Sequence, residues 1–409
     1  MDSGFRRNDH GCMDSGACPG LRSGIRRNDK IAGFIQLCKG LKAGIQLFKH
    51  VMDSRRSLPS KVLVGGGSDW VIDFLRTYPI LTSMVLTIEA LNPVVRHWGL
   101  TVNKIRDDLA IAGSPERCLS RIVMEDDRGR LFILEDISPQ NLARKEEIAK
   151  TISGLSRQGL AAVHPCLLNA SKAYITRHEN RCWIVRPYIE GVPLQRPEYA
   201  YDGWRGRAMA EFLTALKEKS PVITAGCGAN PFSITAFISD LLKRMEKHNK
   251  ELIFDITPVV RFLEMDFCTI HDRLPVGFCH GDYHPLNIIW SEDAILSVID
   301  WEFSGFKPEI YDMALLIGCI GMEDPAALTG PFIQELLRGL LNVYSQSSLQ
   351  YLLEFVIAVR FAWLSEWLRN ADRDMITLEI DYMTLLIQKR PSLNDAWFRS
   401  WNRPPSHGT

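Results

Sequence analysis

Three oxygen-bearing side chains, Asp282, Asn287 and Asp300, stand in an order and spacing that could do chemistry. The first two belong to the run Cys279-His280-Gly281-Asp282-Tyr283-His284-Pro285-Leu286-Asn287. Ile288-Ile289-Trp290 follows, then a polar turn at Ser291-Glu292-Asp293, then Ile295 to Ile299, and finally Asp300-Trp301-Glu302. The form is loop, strand, hairpin turn, strand, acid. Both strands are short and apolar, which predicts burial, and a hairpin brings the chain back to the end it left. Asp282, Asn287 and Asp300 are therefore expected to converge there. Such a set suits phosphoryl transfer, which asks a protein mainly for positioning and charge neutralisation. One carboxylate must orient an acceptor hydroxyl and take its proton. Magnesium is a hard ion that takes oxygen ligands, so an amide oxygen and a carboxylate bridging to ATP phosphates would hold it.

The D-x-x-x-x-N spacing from Asp282 to Asn287 matches that of the protein-kinase catalytic loop. H-G-D-x-H-P-x-N followed by I-D-W-E resembles the aminoglycoside phosphotransferase, choline kinase and homoserine kinase group, which shares the protein-kinase-like fold. The resemblance implies Asp282 as catalytic base and Asn287 and Asp300 as magnesium ligands. It implies Asp312, in Tyr311-Asp312-Met313-Ala314, as a buried acid bracing the catalytic loop, with His280 and His284 as loop architecture. ATP and Mg2+ are the cofactors it implies, and a small-molecule hydroxyl is the acceptor. It covers Leu109 to Leu368.

The elements that must position these groups read as α+β and bilobal: a small antiparallel-sheet N-lobe, then a larger, mainly helical C-lobe. Leu109-Ala110-Ile111-Ala112, Leu119 to Met124 and Leu131-Phe132-Ile133-Leu134 predict an antiparallel meander, with the turn at Glu125 to Gly129. A helix is expected over Asn141 to Gln158, and a hairpin from Tyr174-Ile175 and Cys182 to Val185. Beyond Tyr188 to Pro193, apolar spacings of three and four predict helices over Ala208–Leu216, Phe237–Met245, Val259–Phe267, Pro331–Tyr344, Leu349–Leu368 and Ile376–Gln388. The divisions are 1–51, 52–187 (N-lobe), 188–193 (hinge) and 194–409 (C-lobe). Residues 1–51 carry short Gly-, Asn- and Asp-rich repeats of unequal period, and read as a poorly packed extension ahead of a start near Met52.

The nucleotide side departs from the family pattern. Relatives place a lysine on the third strand, paired to a helix glutamate; here that strand position holds Glu135. Glu146 and Glu147 are the helix glutamates, and Arg121, or Lys145 in a different register, could supply the cation. Gly113 and Ser114 stand where the phosphate loop should be, and Tyr188, Ile189 and Glu190 where a hinge would hold adenine. Glu135 motivates a second reading, a pseudokinase-like module that binds a ligand or partner without catalysis. For the acceptor, the candidates are Glu302, Trp363, Glu366 and Trp367; the two tryptophans stand one helical turn apart and could stack on a quaternary ammonium or a sugar.

Composition narrows the partners. Forty-eight basic and 48 acidic residues cancel over 409 positions, so no global field draws in nucleic acid or an anionic membrane. The ten cysteines include no C-x-x-C pair, which disfavours a zinc ribbon. No apolar run reaches the ~18 residues that span a bilayer, and Arg6 and Arg7 have no apolar segment behind them, so a cytoplasmic protein is expected.

Overall fold

The computed structural model describes residues 87–113, 118–223 and 231–398. The repeat-like extension predicted over 1–51 and the phosphate-loop candidate Ser114 lie outside them. Five strands form one antiparallel sheet in the order β1-β2-β3-β5-β4: β1 Val102–Ile105, β2 Cys118–Asp126, β3 Leu131–Ile137, β4 Ile175–His178 and β5 Arg181–Pro187. Period-two alternation splits β3 between two layers. Phe132 and Leu134 join Met124, Trp183 and Val185 in a core closed by Leu91, Val94 and Val95 of helix α1 (Ile88–Val95). Ile137 points the other way, into a smaller cluster with Ile184 and Ala149 of helix α2 (Leu142–Arg157). Glu135, two residues before Ile137, shares that face.

The first strand differs from expectation. It is Val102–Ile105, paired with Met124 to Asp126, and Leu109–Ala112 is an irregular, half-exposed loop. Val102 and Leu100 bury against α1, which the short apolar run at 109–112 does not. The meander is therefore sound in kind but its first strand begins earlier.

The second half is built on helices: α3 Gly203–Lys219, α4 Ile234–His248, α5 Ile253–Met265, α6 Tyr311–Glu323, α7 Pro331–Leu340, α8 Leu352–Arg369, α9 Arg373–Gln388 and α10 Arg390–Phe398. Helix α8 is buried on almost every face, from Leu352 to Trp367, as a helix apolar all round must be. Two small antiparallel pairs carry the polar loops: β6 Val276–Cys279 with β9 Gly305–Pro308, and β7 Ile288–Trp290 with β8 Ile295–Val298. No helix among the described residues is long and apolar enough to cross a membrane.

An ion pair ties α8 to α9. Arg360 donates to both Glu379 oxygens, at 2.6 and 2.9 Å, and the Trp367 indole adds a third bond at 3.3 Å. Both charged side chains are buried, so removing one strands the other in an apolar interior. Glu379→Leu should lower stability by about 3–5 kcal/mol. Adding Arg360→Met should recover much of that loss, as read from urea denaturation midpoints; equal stability of Glu379→Leu and wild type would refute the claim.

Candidate active site

Residues 280–287 run from the end of β6 to the start of β7. Their backbone is held from one side by Asp312, at the start of α6, whose oxygens accept the amides of His280 at 2.6 Å and Gly281 at 2.8 Å. Gly281 has φ +87°, and a Cβ there would collide with the carbonyl oxygen of Phe303, so only glycine fits. Tyr283 anchors the loop to α3, donating its hydroxyl to Met209 O at 3.2 Å and stacking on Phe212. Trp290 closes it by donating to Pro285 O at 3.0 Å.

This frame brings the predicted residues together. Asn287 Nδ2 donates to Asp282 Oδ2 at 2.8 Å and to Asp282 O at 2.9 Å. The Ile299 amide donates to Asn287 O at 3.0 Å, which fixes the position of the next residue, Asp300, relative to the loop. Asp300 itself adopts φ 62°, ψ 56°, a left-handed conformation uncommon outside glycine and typical of a constrained functional position. The backbone of Gly113 passes so close that a Cβ there would lie 2.6 Å from Asp300 Oδ1. His284 Nε2 lies 3.4 Å from Asp282 Oδ1 without hydrogen-bond alignment.

His280 links the loop to the second hairpin strand. Its Nε2 meets Ile299 O at 2.9 Å, and its Nδ1 accepts the Asp282 amide at 3.2 Å. Both contacts are satisfied by one neutral tautomer, protonated on Nε2. Burial pushes the His280 pKa down to about 4, against an opposing pull from Asp282. Burial also pushes the Asp312 carboxyl up, to about 6, although its two amide donors favour the anion.

A lysine lies against Glu135, though not on its strand. Lys145, on α2, lies 2.6 Å from Glu302 Oε1 and 3.6 Å from Glu135 Oε2. Arg186 of β5 completes the group, 3.1 Å from Glu135 Oε1. Strand acid and helix base thus pair where the resemblance implies a strand lysine and a helix glutamate. Burial alone would raise the Glu135 carboxyl, but Lys145 and Arg186 outweigh it and hold its pKa below the ordinary value. Next to Lys145, Arg144 donates to Glu302 O at 2.9 Å and Ser304 O at 2.5 Å, so α2 clasps the segment that follows Asp300.

Several expected contacts are differently made. Glu147 meets Arg144 at 3.0 Å and not a strand lysine, and Glu146 pairs with Lys150 on the surface. Arg121 donates to Gly113 O at 2.9 Å, so it shapes the loop over Asp300. Tyr188 follows directly on β5 and donates to Ala110 O at 3.2 Å, with Ile189 and Glu190 continuing the linker to Val192, whose amide donates to Trp290 O at 2.8 Å. Glu302 is drawn to Lys145 and away from an acceptor role. Trp363 presents an edge to His284 at 6.2 Å between ring centres, whereas Trp367 is buried behind it on Glu379 and Glu366 is taken by Arg369 and Asn370. Burial in the α8 core thus removes Trp367 and Glu366 from the acceptor set. Arg144 and Arg186 lie outside the residues that the sequence singles out; nothing in their local sequence distinguishes them from surface cations.

A profile of the phosphotransferase enzyme family, APH, matches residues 120–347, more than half of the chain. The chain belongs to this family. Its α+β architecture agrees with solved relatives. The GDP complex of wild-type aminoglycoside 2'-phosphotransferase-IIIa superposes with a TM-score of 0.51 at 15% identity, covering 74% of this chain and 98% of that one. Macrolide 2'-phosphotransferase MphH from Brachybacterium faecium gives 0.50 at 15% identity, covering 72% and 97%. Among curated proteins, homoserine kinase from Methylocella silvestris is 24% identical over 189 residues, 44% of this chain and 56% of that protein. The homoserine kinase from Acidiphilium cryptum is 25% identical over 207 residues, 48% and 63% respectively. The match thus spans less than two thirds of the length of these curated relatives.

The shifted His280 makes a pH prediction. Its folded pKa of about 4 lies below the ordinary 6.5, so the unfolded chain binds more protons in that interval. The stabilisation is complete above pH 6.5 and is lost as pH falls through about 4. Asp312, raised from 3.8 to about 6, acts in the opposite sense, its contribution declining as pH rises through that range. His280→Gln should therefore lose less stability than wild type between pH 6.5 and 4, and NMR should show the wild-type ring neutral and protonated on Nε2 down to about pH 4.

Proposed function

We propose that the chain is an ATP- and Mg2+-dependent phosphotransferase that moves the γ-phosphoryl group to a hydroxyl of a small molecule in the cytoplasm. The observation that carries this is the fixed Asp282–Asn287 contact beside the left-handed Asp300, at the mouth of the β7–β8 hairpin. Asp282 Oδ2 is held by the Asn287 amide, which leaves Oδ1 to accept a hydrogen bond from an acceptor hydroxyl and orient its oxygen. The hydroxyl oxygen forms a bond to the γ-phosphorus as the bond to the β,γ-bridging oxygen breaks. Its proton passes to Asp282, and ADP leaves.

The donor set fits a hard divalent ion. Asn287 spends its Nδ2 on Asp282, so its amide oxygen is the atom that would hold a metal, and Asp300 would add a carboxylate. Bound there, Mg2+ would neutralise phosphate charge. Lys145 takes the part of the strand lysine: its ammonium, shared between Glu302 and Glu135, is positioned as a point charge for ATP phosphates. Gly113, Arg121 and the Tyr188–Glu190 linker would frame the nucleotide. Acceptors include a sugar, amino acid, amino alcohol or related metabolite, and the naming of the curated relatives as homoserine kinases supports an amino-acid hydroxyl. Glu135 is the observation behind the alternative, a pseudokinase-like binding module; the exchanged ion pair answers it by keeping a cation at the place.

Two substitutions test the reading. Asp282→Asn should lower kcat by about 10²–10⁴-fold while Mg-ATP still raises the melting temperature. Lys145→Met should raise the KM for ATP about tenfold or more, the loss of one charge-assisted contact. Turnover by Asp282→Asn at the wild-type rate, or no Mg-ATP binding by the wild type, would sink the enzyme.

A further inference from the structure

A cavity of about 280 Å³ lies on the Asp312 side of the 280–287 loop. Its walls are mainly apolar: Leu213 and Leu216 of α3, Phe278 of β6, Phe306 of β9, and Tyr344 beyond α7. Val276, half-exposed on β6, and the partly exposed Lys217 also line it, so the space opens to solvent on that side. Asp282, Asn287 and Asp300 do not line it. For scale, an apolar cavity of about 150 Å³ is enough to take up benzene, so this one suits a molecule of roughly two fused rings.

The charged groups around this space decide what charge a ligand can carry. Lys217 donates to Glu309 Oε2 and to Val343 O, both at 2.7 Å. Glu309 Oε1 accepts the Ser345 amide at 2.9 Å and the Ser348 hydroxyl at 3.0 Å. Asp312 accepts the His280 and Gly281 amides. Each charge is already answered within the fold, and a charged ligand would give up hydration without gaining an unpaired counter-charge. A carboxylate oxygen accepts more than one hydrogen bond, so the polar function left to a ligand is that of a donor. Asp312 also ties the space to the chemistry. It lines the cavity and, with the same carboxyl group, holds the backbone one residue before Asp282.

We propose that this cavity is a regulatory site for a neutral, largely apolar molecule of roughly two fused rings that carries one hydroxyl or N–H donor. Its occupancy tightens the hold of Asp312 on the catalytic loop. The cavity exists in the arrangement in which Asp312 grips both amides, so a ligand that fills it selects that arrangement. Filling the space also restores dispersion contacts that its walls otherwise lack. Binding and loop ordering stand independently of the phosphotransferase reading; only the effect on rate rests on it.

The probes are 2-naphthol, its methyl ether, 2-naphthoate and 2-naphthylmethylamine, each titrated into the full chain by calorimetry. 2-Naphthol should bind with a Kd below about 1 mM, at least about tenfold more tightly than the ether, the anion or the cation. Hydrogen exchange read by mass spectrometry should slow at least about threefold in peptides spanning 278–283 when 2-naphthol is bound. With Mg-ATP, and water standing in as acceptor, saturating 2-naphthol should raise kcat for ADP release about fivefold and leave the KM for ATP unchanged. Leu213→Phe should fill the space and abolish binding. Because overpacking can unfold a chain, Val276→Trp at the exposed rim is the second variant. It should weaken 2-naphthol at least about tenfold and leave the melting temperature and basal ADP release as in the wild type. No binding of 2-naphthol, equal binding of all four probes, or binding that survives Val276→Trp overturns the proposal. So does binding without slower exchange over 278–283, or ADP release that stays level or falls with 2-naphthol bound. If binding and slowed exchange are found but Mg-ATP yields no ADP with or without the probe, the phosphotransferase reading fails and the site stands.

Discussion

Two adjacent backbone amides, those of His280 and Gly281, point at one buried carboxylate, and the rest of the site is hung from that contact. Asp312 belongs to α6, a helix buried over nearly its whole length, so its position is set by the core of the helical part. The loop it holds cannot shift without stranding either a buried acid or two buried amides. Gly281 is the geometric condition for this hold, because its positive φ turns both amides the same way while Phe303 leaves no room for a side chain. His280 then carries the constraint onward to Ile299, and with it to Asp300. Catalysis of the kind proposed needs groups placed to within a fraction of an ångström, and a chain of short, buried hydrogen bonds supplies that placement at no conformational cost during turnover.

The segment after Asp300 is ordered by charge. Glu135, Lys145, Arg186 and Glu302 come from a strand, a helix, a second strand and the segment after Asp300, so four parts of the chain meet in one alternating network. Exchanging the strand lysine and helix glutamate for a strand glutamate and helix lysine preserves the attraction that docks α2 on the sheet. It moves the ammonium from the sheet to the helix, and so ties Lys145 to Glu302, two residues past Asp300. The position of α2 and the position of the Asp300 segment are consequently coupled more directly than a strand lysine would couple them, with Arg144 reinforcing the link through Glu302 O and Ser304 O.

The carboxylates of the C-terminal helices are spent within the fold. Glu379 is spent on Arg360, and Glu366 on Arg369 and Asn370, so these carboxylates hold helices together and offer nothing to a cationic ligand. Around Asp282 the neighbours are Asn287 and His284, with the Trp363 ring against His284.

Much of the site was written in one stretch of sequence, because its residues are local. Asp282 and Asn287 share a single loop, Asp300 follows after one short hairpin, and hairpins return the chain by their own geometry, so convergence could be read without knowing any other part of the molecule. The same locality made the helices legible from apolar spacing, α2 and α8 above all, and made the second strand pair legible from its turn. What the sequence left open were the relations between distant segments. No local signal tells that Val102–Ile105, and not Leu109–Ala112, supplies the first strand, since that depends on burial against α1. None tells that Lys145 replaces the strand lysine, since that depends on which face of α2 meets the β3 face bearing Glu135. Nor does any local signal separate Lys307 from a solvated cation; only the packing of β9 against the 280–287 loop buries it. Sequence alone determined the chemistry that local spacing can encode, and tertiary structure decided every partnership between charges far apart in the chain, because the free energy of a charge is set by what surrounds it in space.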